Sequence, residues 1–290
     1  MKPAAFEYFR PQTVDEALAL LAEHAGDAKP LAGGQSLIPA MNFRLATPAV
    51  LVDLNALSDL AYINAGADDV RIGGMTRQRA VERSAAVARA VPLLAETMPF
   101  IAHPAIRNRG TVGGSLAHAD PAAELPAVML VLNAGFGLRS QTGSRIVPAD
   151  EFFTGLFSTA IEPGELLTEI AIPNAARRSG FAFQEISRRH GDFALVGVAA
   201  SVTLDQQGRC AGARIALLSV GDRPILAQHA ANSLLGQEPS SETIRAAADA
   251  AATNDIDPSS DIHASARYRR QLANVLTRRV LTRAFDRAFH

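Results

Sequence analysis

Residues 29–36 of the chain read Lys29-Pro30-Leu31-Ala32-Gly33-Gly34-Gln35-Ser36. A short apolar run leads into two glycines, and a helical pattern starts at Ser36, which suits an N-cap position. Glycine lets backbone N–H groups approach a ligand closely, and a helix N-terminus favours negative charge. This order of strand, glycine pair and helix is typical of a loop that binds phosphate. A tight turn with a positive φ at glycine is the simpler explanation when the pair is taken alone.

A second glycine pair lies about 80 residues further along the chain, in Gly110-Thr111-Val112-Gly113-Gly114-Ser115. Gly33-Gly34 fits neither the G-x-G-x-x-G pattern nor the P-loop of nucleoside-triphosphate-binding proteins. Two glycine pairs in one chain nevertheless suit a dinucleotide, because one pair can hold the pyrophosphate while the other lines a flat ring. The three glycines Gly110, Gly113 and Gly114 predict a loop from Pro104 to Gly114.

Three polar residues follow the second pair: His118, Asp120 and Glu124. Asp120 before Pro121 is typical of an N-cap, and it predicts a helix from Pro121 to Leu132. Alternatively, Asp120 or Glu124 accepts hydrogen bonds from ribose hydroxyls or from a ring N–H. His118 has no second ligand at a recognisable spacing, so no metal site is predicted. No catalytic acid, base or nucleophile is identified either.

The composition excludes several classes of function. The 28 basic and 29 acidic residues leave a formal charge of -1, so there is no net basic field for nucleic acid. No apolar stretch approaches the roughly 20 residues of a membrane span, and Met1 to Glu7 lacks the apolar core of a secretory signal. A single cysteine, Cys210, excludes an intrachain disulfide and a four-cysteine iron–sulfur cluster. A reducing compartment, the cytoplasm, is expected.

Chain length and periodicity predict the domain organisation. The 290 residues are enough for about two domains of roughly 150 residues each. The hydrophobic pattern predicts an α+β protein that divides near 173–180, where the sequence is polar and rich in helix breakers. Residues 1–55 are predicted to form a β–α–β unit, with a helix at 13–25 and a strand at 50–54. Residues 56–175 are predicted to contain a strand at 70–75, a helix at 77–99 that Pro92 kinks or splits, and short strands from 135 to 173.

The C-terminal part, 176–290, is predicted to begin with strands at 193–204 and 212–220 around a hairpin turn at 206–208. Helices follow at about 224–235, 241–252 and 267–288. The arginines at 267–270 and 278–279 of the last helix are predicted to face solvent or a partner.

The chain resembles the flavoprotein subunits of molybdenum hydroxylases, which include the carbon monoxide dehydrogenase medium subunits and the FAD domains of xanthine dehydrogenases. The two glycine motifs, Ala32 to Ser36 and Thr111 to Ser115, resemble the two FAD-binding motifs of that family. Other matching segments follow in family order along essentially the whole chain: Phe9-Arg10-Pro11, Arg44-Leu45-Ala46-Thr47-Pro48, Val52-Asp53-Leu54, Ile72-Gly73-Gly74-Met75-Thr76, Ile106-Arg107-Asn108-Arg109-Gly110, Asp120-Pro121-Ala122-Ala123-Glu124, Gly164-Glu165-Leu166-Leu167 and Arg188-Arg189-His190-Gly191-Asp192. Each segment is a weak signal alone, but their order and spacing are specific.

The resemblance implies an FAD-binding fold of the vanillyl-alcohol oxidase/PCMH type. Residues 1–55 and 56–175 would clamp the flavin, and an α+β C-terminal domain of a small sheet plus helices, 176–290, would close over it. By this likeness the pyrophosphate is wrapped by Lys29, Pro30, Leu31, Ala32, Gly33, Gly34, Gln35 and Ser36. The other implied cofactor-binding residues are Ile101, Ala102, Thr111, Val112, Gly113, Gly114, Ser115, Asp120, Glu124, Leu167 and Phe193.

The chain also departs from the carbon monoxide dehydrogenase pattern. Gln35 stands where those relatives have a His, Ser115 where they have an Asn, Phe193 where they have a Tyr, and Glu185 where they have a Lys. The resemblance therefore does not imply carbon monoxide as the substrate.

The activity that the resemblance implies is that of an oxidoreductase with three kinds of subunit. A large subunit with molybdenum cofactor would hydroxylate the substrate with water, and a small subunit with two 2Fe–2S clusters would pass on single electrons. The FAD of this chain would collect them for an external acceptor, which could be NAD, a quinone, a cytochrome or oxygen. A dimer of heterotrimers is expected. The alternatives are a stand-alone flavoenzyme of the same fold and a non-catalytic assembly module that has lost its cofactor.

Overall fold

The structure, a computed structural model, describes residues 1–289 of the chain. Its strands are β1 (Glu7–Phe9), β2 (Ala28–Leu31), β3 (Val50–Asp53), β4 (Ile63–Ala65), β5 (Asp69–Gly73), β6 (Gly135–Ser140), β7 (Gly143–Pro148), β8 (Phe153–Gly155), β9 (Ser158–Thr159), β10 (Leu166–Pro173), β11 (Ser179–Ser187), β12 (Ala194–Leu204), β13 (Cys210–Leu218) and β14 (Ile225–Leu226). Its helices are α1 (Val14–Glu23), α2 (Leu37–Asn42), α3 (Gln78–Glu82), α4 (Ala85–Ala90), α5 (Pro92–Thr97), α6 (Pro104–Arg107), α7 (Val112–His118), α8 (Glu124–Val131), α9 (Ala149–Phe152), α10 (Gln228–Leu234), α11 (Ser241–Ala250) and α12 (Ala266–Ala288). A π-helical turn, Ala251–Asp255, continues α11. This mixture of helices and sheets confirms the predicted α+β class.

The N-terminal unit is a three-stranded parallel sheet with strand order β1-β3-β2. The side chain of Thr13 caps α1 by accepting a hydrogen bond from the backbone N–H of Glu16. The apolar side of α1, Ala17, Leu18 and Leu21, is buried against β3 and its neighbours. The predicted helix and strand of this unit are both confirmed, because the cap and the apolar spacing are local signals.

A five-stranded antiparallel sheet forms the middle of the molecule, in the order β4-β5-β10-β6-β7. Helices α4, α5, α7 and α8 contribute buried side chains to the same core as this sheet. The helical run predicted over 77–99 forms three short helices, and the predicted split at Pro92 is confirmed. Ser84 caps α4 with its side chain, and Pro92 is the first residue of α5, so Pro92 splits the run.

Two predictions around the second glycine pair are wrong. Residues 104–114 are not a loop throughout, since they include α6 and the first turn of α7. The helix predicted from Pro121 begins instead at Glu124, with Ala123 at its N-cap position. Asp120 stabilises the preceding turn by accepting a hydrogen bond from the N–H of Ala122 at 2.9 Å. Asp120 is therefore a turn residue in this structure and does not cap α8.

The C-terminal part is a four-stranded antiparallel sheet, β11-β12-β13-β14, with α10, α11 and α12 packed on one side. The two predicted strands and their hairpin are confirmed, and Gly208 in the turn has a φ of +81°. The helix predicted from 224 begins only at Gln228, because Ile225 and Leu226 pair with β13 as a strand. The interpretation of all four residues 267–270 as solvated is wrong for Arg269, which is 7% exposed and donates to the carbonyl of Ser219 at 3.0 Å.

Helix α8 joins these parts of the molecule. Every residue from Glu124 to Val131 is buried. The helix contacts α5 and α7 and also β12 and β13. This position explains why α8 lacks an amphipathic pattern, since no side of it faces solvent. No helix within residues 1–289 is both long enough and apolar enough to cross a membrane.

Candidate functional site

The first glycine pair provides a run of free backbone donors. Within the described residues, the N–H groups of Gly33, Gly34, Gln35 and Ser36 have no hydrogen-bond acceptor. The run lies between β2 and α2, and Gly34 adopts a φ of +71°, which turns the chain there. Ser36 is at the N-cap position, as predicted, but its side chain makes no capping hydrogen bond. Consecutive free N–H groups at such a turn form a concave site suited to an anion.

The two glycine motifs lie against each other. A Cβ atom on Gly33 would lie 2.5 Å from the carbonyl oxygen of Arg109 and 2.7 Å from the Cα of Gly110. A Cβ atom on Gly114 would lie 3.3 Å from the Cβ of Ala32. At Gly33 the two motifs therefore contact each other through backbone atoms, and no side chain larger than hydrogen fits at position 33. The two glycine pairs predict two loops around one ligand, and the structure brings these loops into direct contact.

A polar network holds this contact in place. Asn55 donates to the carbonyl of Ala32 at 3.0 Å and accepts from Arg77 at 2.7 Å. Arg77 also donates to the carbonyl of Arg109. Sequence reasoning did not identify Asn55 or Arg77 as site residues. For Arg77 the available signal was its place directly after the matching segment that ends at Thr76.

The second glycine pair is built as a helix start. Its N–H groups are already paired: Val112 donates to Thr76 at 2.9 Å, Gly113 to Gly74 at 3.0 Å, and Gly114 to the side chain of Thr111 at 3.0 Å. This pair therefore offers a surface without free donors, in contrast to Gly33-Gly34.

Three backbone segments are stacked closely at that surface. A Cβ atom on Gly113 would lie 2.5 Å from the carbonyl oxygen of Gly74, and one on Gly74 would lie 2.4 Å from that of Leu167. Leu167, on β10, is buried. The packing joins α7 to β5 and β10 and keeps side chains out of the contact. Ser115 is half-buried on the first turns of α7.

Ile101 and Ala102 form a short connection whose carbonyl groups are held by a buried arginine. Arg107, 4% exposed, donates to the carbonyl of Ile101 at 2.7 Å and pairs with Glu82 through two hydrogen bonds of 2.9 and 3.1 Å. Ala102 adopts a φ of +43°, which is unusual for a residue other than glycine. The hydrogen bonds of Arg107 lower the pKa of Glu82, so this pair is charged at neutral pH.

Two carboxyl groups, those of buried Glu124 and partly buried Glu185, have raised pKa values. Glu124, at the start of α8, is 6% exposed, and burial raises its pKa to about 7. Glu185, on β11, has a buried Oε2 atom without a hydrogen-bond partner. Burial, with a smaller contribution from the charge of Glu124, raises the pKa of Glu185 to about 8. Neither carboxylate has a salt-bridge partner among the described residues.

Two implied cofactor residues lie outside these contacts. Lys29 is exposed on β2. Phe193 is 65% exposed, immediately before β12. Among the described residues, neither side chain makes a hydrogen bond or a salt bridge, so their assignment to the cofactor remains a prediction.

Glu185 gives a stability prediction that needs no cofactor. Its carboxyl ionises near 4.5 in the unfolded chain and near 8 in the native protein, so the wild type loses stability as the pH rises through that window. Replacing Glu185 with Gln removes this loss. Near pH 8 we expect the free energy of unfolding of Glu185→Gln to exceed that of the wild type by about 2 kcal/mol. The full shift of the Glu185 pKa would correspond to roughly 5 kcal/mol, but the gain is smaller because the buried amide of glutamine also lacks hydrogen-bond partners.

Urea unfolding of the flavin-free chain at both ends of the window measures this difference. The exposed Glu151 provides the control, Glu151→Gln, which should match the wild type at both ends. A stability difference for Glu185→Gln that does not change with pH would contradict the prediction.

The residues present fit a dinucleotide such as FAD. Free N–H groups at positions 33–36 suit its pyrophosphate. The contact made by Gly33 is too close for any Cβ atom, as expected where backbone has to surround a ligand. The second motif, Thr111 to Ser115, contacts this loop and would lie next to the rest of the same ligand.

Comparison with known proteins assigns the family. Residues 4–175 match the model of the FAD binding domain in molybdopterin dehydrogenase, and residues 181–284 match that of the CO dehydrogenase flavoprotein C-terminal domain. The chain is 46% identical to the 6-hydroxypseudooxynicotine dehydrogenase complex subunit alpha of Paenarthrobacter nicotinovorans, over 99% of this chain and 97% of that relative. It is 42% identical to the carbon monoxide dehydrogenase medium chain of Afipia carboxidovorans, over 99% of each chain.

A solved structure agrees with these sequence relatives. The carbon monoxide dehydrogenase of Hydrogenophaga pseudoflava, in a form that lacks the Mo-pyranopterin moiety of the molybdenum cofactor, superposes with a TM-score of 0.96 at 39% identity, over 99% of each chain. The predicted FAD-binding fold and the predicted cofactor, FAD, are therefore confirmed. The chain belongs to the family of FAD-binding medium subunits of molybdenum-dependent dehydrogenases, and it is an oxidoreductase subunit.

Proposed function

We propose that this chain is the electron-transfer subunit of a molybdenum hydroxylase of several subunits. It would take electrons from the 2Fe–2S clusters of a small subunit and pass them to an external acceptor, while a large subunit with molybdenum cofactor hydroxylates the substrate. Family membership and relatives named as a medium chain or as a subunit of a complex support the proposal. The single observation within this chain that supports it most is the run of free N–H groups from Gly33 to Ser36.

The residues of this chain would bind and orient the cofactor. The N–H groups of residues 33–36 would donate to the pyrophosphate, and the second motif, Thr111 to Ser115, would run along the flavin. Arg107 fixes Ile101 and Ala102, which the family resemblance implies to be beside the flavin. When bound, FAD supplies the ability to accept electrons one at a time and to release two. No side chain of this chain needs to act as an acid or base on the organic substrate.

The proposal extends to the other implied cofactor contacts and to the assembly. We assign Lys29, Asp120, Glu124 and Phe193 to the cofactor's surroundings and place the division between the two domains near residue 175. We propose a cytoplasmic dimer of heterotrimers, since the single cysteine leaves the clusters to a partner. The substrate would be bound by the large subunit, so purines, other N-heterocycles, aldehydes and carbon monoxide are all compatible with this chain.

Visible spectroscopy tests the cofactor. We expect the purified chain, as isolated or after addition of FAD, to show flavin absorption bands and to release FAD on denaturation. If neither sample contains flavin, the measurement is repeated on the complex co-expressed with the large and small subunits. A complex without FAD would reject the proposed function.

Substrate-dependent bleaching tests the route of the electrons. A panel of N-heterocycles, aldehydes and carbon monoxide is added without an acceptor to the complex and to the isolated chain. We expect one of these compounds to bleach the flavin bands of the complex and none to bleach those of the isolated chain. Bleaching of the isolated chain would instead identify a stand-alone flavoenzyme.

Sedimentation of the complex measures its stoichiometry.

A further inference from the structure

A chain of hydrogen bonds runs from the N-terminal sheet to the second glycine motif. Asp53, the last residue of β3, is 7% exposed and accepts hydrogen bonds from the hydroxyl of Tyr8 and from the backbone and side-chain N–H groups of Asn55. Because a carboxylate only accepts, Asn55 turns its amide nitrogen toward Asp53 and its Oδ1 toward Arg77, at 2.7 Å. Arg77 in turn donates to the carbonyl of Arg109. Each link orients the next, so the guanidinium of Arg77 has a defined position.

This guanidinium lies at the junction of the two glycine motifs. The carbonyl oxygen of Arg109 that accepts from Arg77 is also the atom that lies 2.5 Å from a Cβ atom placed on Gly33. Gly33 begins the run of free N–H groups at residues 33–36. Arg77 is half-buried, and among the described residues it uses two of the five N–H groups of an arginine. Further donors therefore remain for a ligand at this junction.

The positive charge of Arg77 has no carboxylate partner. Among the described residues, neither Arg77 nor Arg109 takes part in a salt bridge, and both acceptors of Arg77 are neutral oxygens. Asp53 acts on Arg77, but its oxygens are hydrogen-bonded to Tyr8 and Asn55. Burial, followed by the charge of Arg109, lowers the pKa of the Arg77 guanidinium. A partly desolvated cation without a counter-charge is stabilised when an anion binds beside it.

We propose that Arg77 binds the pyrophosphate of the cofactor and makes this site selective for FAD over flavins that lack a pyrophosphate. The inference rests on the proposed function, in which this chain carries FAD. The backbone N–H groups of residues 33–36 and the remaining N–H groups of Arg77 would donate to the same anion. Hydrogen bonds between charged groups are stronger than those from neutral donors, so the guanidinium adds affinity that the backbone does not supply. Asp53 and Asn55 are positioning residues, because they act through Arg77.

Fluorescence titration of the flavin-free chain with FAD and with riboflavin tests this inference. Riboflavin has the same ring system but no phosphate. Arg77→Gln removes the charge and keeps a side-chain N–H donor, whereas Arg77→Lys keeps the charge. We expect Arg77→Gln to bind FAD about 30-fold more weakly than the wild type, as for the loss of a hydrogen bond to a charged group, and to bind riboflavin equally well. The FAD affinity of Arg77→Lys should lie closer to that of the wild type.

The salt dependence of the affinity distinguishes a charge interaction from a structural role. Salt screens the attraction between a partly exposed guanidinium and a phosphate, so the FAD affinity of the wild type should fall as salt is added. That of Arg77→Gln should fall less steeply, and the affinity for riboflavin should not respond in either protein. Arg83→Gln is the control, because Arg83 is an exposed arginine on the same segment without a salt bridge among the described residues. It should match the wild type in every titration.

Two results would overturn the inference and leave the proposed function intact. One is equal FAD affinity and equal salt dependence in the wild type and Arg77→Gln. The other is an equal loss of affinity for FAD and riboflavin that Arg77→Lys shares, because Arg77 would then only hold the two motifs together. Should Arg77→Gln fail to fold, Arg77→Lys decides, since it has to retain the salt-dependent preference of the wild type for FAD over riboflavin.

The co-expressed complex provides the same comparison if the isolated wild-type chain binds no flavin. The FAD content of the wild-type, Arg77→Gln and Arg83→Gln complexes is then measured after gel filtration at low and at high salt. We expect a salt-dependent loss of FAD that is larger in Arg77→Gln than in the other two complexes, and equal FAD contents overturn the inference. Absence of FAD from the wild-type complex rejects the proposed function, and the inference with it.

Discussion

Replacing Gly33 with alanine is expected to lower the affinity for FAD by about 100-fold, which corresponds to about 2.7 kcal/mol of binding free energy. The new Cβ atom would lie 2.5 Å from the carbonyl oxygen of Arg109 and 2.7 Å from the Cα of Gly110. Both neighbours are backbone atoms, so no side-chain rotation can relieve the clash. The two glycine motifs have to move apart, and the free N–H groups of residues 33–36 then lose their position against the second motif. Fluorescence titration of the flavin-free chain with FAD measures the affinity.

Gly143→Ala is the matched control for Gly33→Ala. An alanine Cβ at position 143 meets no atom within 4 Å, and Gly143 does not adopt a positive φ. We expect its FAD affinity and its thermal unfolding to match those of the wild type. The far-ultraviolet circular dichroism of Gly33→Ala should remain that of a folded chain. Wild-type affinity in a folded Gly33→Ala variant would contradict the assignment of this loop to the cofactor.

The parts of the fold that the sequence predicted correctly depend on local signals. Thr13 and the apolar spacing after it define α1, and the run from Val50 forms β3 as expected. The turn at Gly208 between two β-branched and apolar runs defines the hairpin of β12 and β13. Each of these signals lies within a few residues of the element that it specifies, so no knowledge of the tertiary structure is needed.

Two of the incorrect predictions concern residues whose partners are distant in sequence. Gly113 and Gly114 suggested a loop, because glycine is unfavourable in a helix. In the structure Gly113 is required in α7 by the backbone of Gly74, a contact across 39 positions that no local pattern reveals. Arg269 looked solvated, but it reaches carbonyl groups on the C-terminal sheet.

In the candidate site, too, some residues are revealed by sequence patterns and others only by the folded chain. The glycine motifs were visible as motifs, Glu124 was visible as a candidate acceptor after the second of them, and the family resemblance added Leu167. The polar network of Asn55 and Arg77 was not visible, because one asparagine and one arginine among 28 basic residues give no signal until the chain is folded. The raised pKa values of Glu124 and Glu185 depend on burial by several elements and could not be predicted from sequence.

Replacing Arg107 with methionine is expected to lower the free energy of unfolding by about 3 kcal/mol, near the lower end of what removing one partner of a buried ion pair costs. Arg107 is buried and makes two hydrogen bonds to Glu82, whose carboxylate would lose them in a largely desolvated place. Arg79, at 2.8 Å from Glu82, remains as a partial partner and limits the loss. Urea unfolding near neutral pH measures the effect. Arg139→Met, which removes an exposed pair with Asp15, is the control and should cost less than about 1 kcal/mol.

The pH dependence of this loss identifies its cause. Since Arg107 lowers the pKa of Glu82, the pair stabilises the native state fully above the ordinary pKa of 4.5 and loses that contribution as the pH falls through the lowered value. The stability difference between wild type and Arg107→Met should therefore shrink on the acid side. A constant difference would show that packing of the arginine stem, and not the charge pair, stabilises this region. In either case the carbonyl groups of Ile101 and Ala102 lose their donor, so FAD affinity should fall in Arg107→Met and not in Arg139→Met. Equal FAD affinity in the two variants would remove Ile101 and Ala102 from the candidate cofactor site.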